Sequence, residues 1–207
     1  PKEEIMKELQ PCYPVSEKAK AHTHIDAATY DAMYKQSIEQ PDVFWGEQAK
    51  EFIDWYQPWD SVSKVDLKNS EVNWFSGAKL NVSYNCIDRH LATKANDTAI
   101  IFEGDDPTDD LKVTYQELHD HVCRFANLLK DRGVKKGDRV CIYMPMIPEV
   151  GYAMLACARI GAIHSVVFGG FSTESIKARV LDADCQVVIT ADESLRGGKR
   201  IPLKSNV

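Results

Sequence analysis

A regular alternation of short apolar runs and amphipathic helices in the second half of the chain constrains its fold most. The pattern predicts strands over 139–144, 162–168 and 186–190, with helices over 148–160 and 172–183 between them. These strands are apolar throughout, which is typical of parallel strands covered by helices on both faces. The sequence therefore predicts consecutive βαβ units and an α/β fold with a doubly wound, mostly parallel sheet.

A hairpin and a long helix are predicted to precede this alternation. The segments 98–103 and 111–113 flank a polar turn rich in Asp, which predicts two paired strands. Thr114 and Glu117 have the spacing of a capping box, so a helix should begin at residue 115. Gly133 is a suitable residue to end that helix.

The first part of the chain has a different composition, which predicts a separate module. All four tryptophans lie within the first 74 residues, at spacings that favour packing over a ligand cage. The sequence predicts helices over 26–38, 41–56 and 81–91, joined by irregular connections. We place the boundary near residue 90, which gives a helical and irregular N-terminal module over 1–90 and the start of a larger, truncated domain over 91–207.

Composition limits the classes of function. The chain has 207 residues with 25 Lys and Arg against 31 Asp and Glu, a formal charge of −6 that argues against nucleic acid or an anionic membrane as a partner. No apolar run approaches the roughly 18 residues of a membrane span, and no signal peptide is visible. The histidines have no metal-ligand spacing. The sequence begins without Met, and we expect it to be a piece of a longer protein.

Cysteine usage predicts a reducing compartment. None of the six cysteines forms a Cys-x-x-Cys pair, and the last four lie inside apolar patterns, which indicates reduced, buried thiols in a cytoplasmic protein. Neither a disulfide framework nor a zinc site is expected. The six are Cys12, Cys86, Cys123, Cys141, Cys157 and Cys185.

Ligands of an open parallel sheet bind beyond the carboxyl ends of its strands, and two such ends carry candidate site residues. After the strand 162–168, the run Phe168-Gly169-Gly170 allows a close backbone approach to a ligand, or simply forms a tight turn. After the strand 186–190, the run Arg196-Gly197-Gly198-Lys199-Arg200 has three cations around two glycines. This loop is the best phosphate-binding candidate, the alternative being a solvated basic loop.

Several longer strings resemble the N-terminal third of AMP-forming acetyl-CoA synthetases, members of the adenylate-forming superfamily. The resemblance extends from about residue 21 to residue 207. The strings that carry it are YDAMY (30–34), PDVFWG (41–46), NCIDRH (85–90), YMPM (143–146), ACARIGAIHSVVFGGFS (156–172) and RGGK (196–199).

The resemblance implies an acetate–CoA ligase that converts acetate, ATP and CoA to acetyl-CoA, AMP and pyrophosphate through an acetyl-adenylate, with Mg²⁺ at the phosphates. It implies that residues 196–199 contact the phosphorylated adenosine end of CoA. It also implies that residues 168–170 lie in the same pocket. Lys199 stands where many members carry a second Arg, which keeps the charge but not the bidentate fork.

The resemblance places the ATP and Mg²⁺ sites and the catalytic residues beyond residue 207. No catalytic residue or metal ligand is therefore assigned within the chain, and the isolated chain is expected to be inactive. The implied partners are the three substrates and the rest of its own chain. Two alternatives stay open: a propionyl-CoA or other short-chain acyl-CoA synthetase, and a non-catalytic α/β ligand-binding or interaction module.

Overall fold

The computed structural model describes residues 13–106 and 108–207, and the chain divides into two units. The first unit contains the described part of Pro1–Ile53 together with Asp60–Ser76. The second contains Asp54–Trp59 and Gly77–Val207.

The described residues of the first unit form three helices and a hairpin. They are α1 (Glu17–His22), α2 (Ala27–Glu39), α3 (Pro41–Phe52), β1 (Ser61–Asp66) and β2 (Glu71–Ser76). Asp26 caps α2 as its sequence suggests, because its Oδ1 accepts a hydrogen bond of 2.7 Å from the Thr29 N–H. Helix α3 ends at Phe52, four residues before the predicted end, where Ile53 turns to an extended conformation.

The antiparallel β1–β2 hairpin corrects the expectation of helices and irregular connections only. Each strand alternates polar and apolar residues over part of its length, at 61–63 and 71–74, around a polar turn; this partial hairpin signal was not used in the prediction. Two tryptophans of this unit make ring contacts: Trp45 lies edge-on to Trp74, with ring centroids 6.5 Å apart.

The second unit opens with short helices where one helix was predicted over 81–91. They are α4 (Val82–Cys86), a 3₁₀ turn (Asp88–His90) and α5 (Leu91–Lys94). Ile87 breaks the helix with φ −125° and ψ −70°. Its side chain is completely buried, so the tertiary burial of this residue outweighs the continuation of the helix.

A hairpin and a capped helix follow as predicted. Strands β3 (Thr98–Glu103) and β4 (Asp110–Thr114) pair antiparallel, and α6 (Tyr115–Asp131) begins directly after them. Both hydrogen bonds of the Thr114–Glu117 capping box are present. The helix buries the side chains of Leu118, Val122, Ala126 and Leu129.

A three-stranded parallel sheet lies at the centre of this unit. Its strands β5 (Arg139–Met144), β6 (Ile163–Phe168) and β7 (Val187–Thr190) have the order β6-β5-β7, and α7 (Pro148–Ile160) and α8 (Thr173–Asp182) connect them. These bounds agree with the predicted ones to within one residue. The chain ends with β8 (Ser194–Arg196), β9 (Lys199–Ile201) and a 3₁₀ turn (Lys204–Asn206).

The central strand β5 is buried on both faces. Val140, Ile142 and Met144 belong to the cluster that includes residues of α6 and α7. Cys141 and Tyr143 point to the other face and belong to a cluster with Ile176 of α8. The fold of this unit is therefore mixed α/β, with apolar packing on both sides of its parallel sheet.

The five cysteines in the described ranges are free thiols. Cys141, Cys157 and Cys185 are buried, Cys123 is partly buried and Cys86 is exposed; Cys12 lies outside the described residues. Burial raises the pKa of Cys157 to about 11. None of the helices in residues 13–106 and 108–207 is long and apolar enough to cross a membrane.

Candidate functional site

A cleft of about 500 Å³ opens beyond the carboxyl ends of β5 and β6. This is the edge where open parallel sheets bind their ligands, and the volume is in the ordinary range for a small-molecule site. Four segments line it: the β3–β4 turn, residues 144–147, residues 168–170 and the β8–β9 hairpin. The cleft lies entirely within the second unit.

The Arg196 guanidinium and the Phe168 ring meet at this cleft. The guanidinium carbon lies 5.2 Å from the ring centroid, a cation–π contact. Gly170 leaves space for both groups, since a Cβ on it would lie 3.0 Å from Phe168 Cε1 and 3.5 Å from Arg196 Nη1. Arg196 is thus in contact with two predicted site residues that precede it by 26 and 28 positions, Gly170 and Phe168.

Glycine is needed at position 169 for a different structural reason. A Cβ at this position would lie 3.0 Å from the backbone oxygen of Met144, at the end of β5. Neither Gly169 nor Gly170 adopts a left-handed conformation. Both glycines are therefore explained by close approach, one to backbone and one to side chains.

The predicted basic loop is a tight hairpin rather than a loop. Gly197 and Gly198 have φ of 56° and 73°, and they form the two-residue turn between β8 and β9. Arg196 and Lys199 are cross-strand partners, so their side chains leave the same face of the hairpin. Of the predicted residues 196–199, Arg196 lines the cleft, and the other three lie at or beside the turn.

The three cations of this hairpin are in different environments. Arg200 forms an ion pair with Glu193. Its strand position alternates with that of Lys199, so it leaves the opposite face. Within the described ranges, neither Arg196 nor Lys199 has a carboxylate ion-pair partner. The two unpaired cations are therefore on the face that carries Arg196 into the cleft.

Carboxylates line the same cleft, and the sequence did not indicate their role there. Glu103 at the end of β3, Asp105 and Asp109 of the β3–β4 turn, and Glu193 all contribute to the lining. Asp105 Oδ2 accepts a hydrogen bond of 3.4 Å from the Gly198 N–H at the tip of the basic hairpin. No local pattern could reveal this contact, because 93 positions separate the two residues.

The acidic turn is itself fixed by hydrogen bonds. Asp106 Oδ1 accepts from the Thr108 N–H at 2.9 Å and from the Thr108 hydroxyl at 2.7 Å. These bonds, led by the backbone N–H, lower the pKa of Asp106. The carboxylates do not gather into a cation site, since the described residues contain no group of three His, Cys, Asp or Glu side chains that could hold a metal ion.

Two family models match consecutive parts of the chain. The model described as "Acetyl-coenzyme A synthetase N-terminus" matches residues 30–86, and the model described as "AMP-binding enzyme" matches residues 87–205. The second match contains every residue that lines the cleft.

Relatives with similar sequences are named acetyl-coenzyme A synthetases. The protein from Saccharophagus degradans is 63% identical over 94% of this chain, and acetyl-coenzyme A synthetase 2 from Pseudomonas putida is 65% identical over 86%. The Vibrio cholerae protein is 56% identical over 94%. The chain spans 28–30% of the length of these relatives. The chain therefore belongs to the AMP-binding enzyme family, and its residues 30–86 are similar to the acetyl-coenzyme A synthetase N-terminus.

Proposed function

We propose that this chain is part of an AMP-forming acetate–CoA ligase. The complete enzyme would convert acetate, ATP and CoA to acetyl-CoA, AMP and pyrophosphate through an acetyl-adenylate. The family matches and the names of relatives at 56–65% identity support this proposal. They favour acetate over the propionate alternative and over a non-catalytic module.

Within that enzyme, the cleft binds the phosphorylated adenosine end of CoA. The observation that carries this assignment is the Arg196 guanidinium, which is stacked on Phe168, has no carboxylate partner in the described residues and lines the cleft. Charge-assisted hydrogen bonds from such a group to phosphate are among the strong ones in proteins. Lys199 adds a second cation on the same face of the hairpin.

The glycines give this site its shape. Gly197 and Gly198 form the turn that holds Arg196 opposite Lys199. Gly169 lets residues 168–170 lie against the end of β5, and Gly170 leaves the Phe168 and Arg196 side chains room to meet. Carboxylates of the β3–β4 turn also line the cleft and would oppose phosphate binding, so Arg196 must outweigh their repulsion.

The ATP and Mg²⁺ sites and the catalytic residues lie outside these residues in this proposal. The parallel sheet is then the first part of a doubly wound sheet, in a domain that starts near residue 91 after an N-terminal module over 1–90. The free thiols of the described cysteines support a reducing compartment, the cytoplasm.

The test uses the protein expressed from the full reading frame that contains this chain. Arg196→Ala should raise KM for CoA by at least about tenfold, because a charge-assisted hydrogen bond contributes about 1.5–3 kcal/mol. KM for ATP and for acetate should stay within about twofold of the wild-type values. Arg124→Ala is the matched control, since it removes an exposed arginine of α6 that does not line the cleft.

Three results would contradict the proposal. A protein without acetate-dependent pyrophosphate release and acetyl-CoA formation is not this ligase. Equal increases of all three KM values in Arg196→Ala would remove the CoA assignment. Pyrophosphate release by the isolated 207-residue chain would show that the ATP site lies within it.

A further inference from the structure

The hydroxyl group of Tyr143 connects the segments that form two walls of the cleft. Tyr143 belongs to β5 and its side chain is completely buried. Its hydroxyl donates a hydrogen bond of 3.0 Å to the backbone oxygen of Phe171 and accepts one of 3.2 Å from Asn206 Nδ2. A buried hydroxyl with both a donor and an acceptor partner is held in one orientation.

The two partners lie beside different walls of the cleft, one next to residues 168–170 and the other after the β8–β9 hairpin. Phe171 closes the glycine turn, where its N–H donates a bond of 3.0 Å to the Phe168 oxygen. Asn206 lies in the 3₁₀ turn that follows β9, the second strand of the basic hairpin. The completely buried Leu203 anchors that turn in the same cluster as Tyr143. The hydroxyl therefore connects the wall that carries Phe168 with the segment that carries Arg196.

We propose that Tyr143 is a positioning residue for the cleft, one that touches no ligand and fixes the separation between Phe168 and Arg196. The inference rests on the proposed function, since it takes the cleft to be the CoA site. Contacts local to each wall do not supply the same restraint. The Arg179 guanidinium lies 4.9 Å from the Phe171 ring centroid, but it belongs to α8, which continues the same wall.

Tyr143→Phe removes the hydroxyl and keeps the ring. In the protein from the full reading frame, KM for CoA should rise about 3- to 10-fold, the change expected when one buried hydrogen bond is lost. The CoA-independent first step, followed as acetate-dependent exchange of pyrophosphate with ATP, should keep its rate. Asn206→Ala removes the other partner and should raise KM for CoA in the same direction.

Tyr152→Phe is the matched control. Tyr152 is also buried, stacks on His121 with centroids 4.7 Å apart, and lies in the cluster on the other face of the sheet, away from the cleft. Its loss of a hydroxyl should leave KM for CoA unchanged. Comparison of the two variants thus distinguishes the effect of losing this particular hydroxyl from the general effect of removing a buried hydroxyl from the core.

Amide hydrogen exchange supplies a readout that does not need activity. In Tyr143→Phe, amides of residues 169–171 and 203–206 should exchange faster than in the wild type, with unchanged exchange in β5. Unchanged KM for CoA, or unchanged exchange in both segments, would overturn the inference, as would equal increases of KM for all substrates. A wild-type protein that forms no acetyl-CoA would instead contradict the proposed function, and hydrogen exchange would still test the link.

Discussion

Replacing Gly170 with alanine would separate the two walls of the cleft at the point where they touch. The new Cβ would lie 3.0 Å from Phe168 Cε1, 3.4 Å from Cδ1 and 3.5 Å from Arg196 Nη1. Carbon atoms in favourable contact are about 3.5–4.0 Å apart, so the ring must retreat by about 0.5–1 Å. It can do so because the Phe168 side chain is 48% exposed.

The expected magnitude follows from the contact that this movement breaks. A cation–π pair at an exposed site contributes about 0.5–1 kcal/mol, and about 1.4 kcal/mol corresponds to a factor of ten. If Arg196 loses its support on Phe168, KM for CoA should therefore rise about two- to fivefold. KM for ATP and for acetate should not change, because this contact lies in the cleft assigned to CoA.

Steady-state kinetics on the full-reading-frame protein would measure the effect, with Gly151→Ala as the control. Gly151 lies in α7, and a Cβ there would meet no atom within 4 Å. The same chemical change at that position should stabilise the helix by about 0.5–1 kcal/mol and leave all three KM values unaltered. An unchanged KM for CoA in Gly170→Ala, with a normal melting temperature, would refute the argument from this contact.

Two further predictions concern the scaffold and are measured as the stability of the protein. Gly161→Ala should destabilise it by about 1–2 kcal/mol in urea denaturation, because Gly161 has φ 75° and a Cβ would lie 2.9 Å from Lys136 Cγ; equal stability would contradict this. Hydrogen bonds from Thr114, the backbone N–H first, lower the pKa of Glu117, so its contribution to stability is present at neutral pH and is lost as pH falls through its folded-state pKa. The difference in melting temperature between wild type and Glu117→Ala should accordingly shrink in acid, and a difference independent of pH would contradict the assignment.

Elements with strong local signals could be read directly from the sequence. The bounds 98–103, 139–144 and 148–160 were predicted as the structure has them, because apolar periodicity, caps and glycine stops act within a few residues. The β1–β2 and β8–β9 hairpins were missed. Each consists of short strands with weak intrinsic strand propensity, so their formation depends on pairing across the turn.

The candidate site was predictable in its parts and not in its arrangement. Cations beside glycines indicated a phosphate contact, and glycines after β6 indicated close approach. The sequence suggested Glu193 as a counter-charge for the basic loop, but it could not show that Arg200 is the cation it pairs with, or that Asp105 reaches Gly198. Such contacts depend on where separate segments meet.

The sequence by itself determined the alternating strands and helices, the capped helix α6 and the strings that identify the family, since each is encoded within a short window. Only the tertiary structure decided which side chains share the cleft. Parallel strands bring their carboxyl ends to one edge of the sheet. Packing there places Arg196 against Phe168 and lets the Tyr143 hydroxyl bond the Phe171 oxygen. Pairwise contacts between distant segments form only on folding, and no local pattern of residues specifies them.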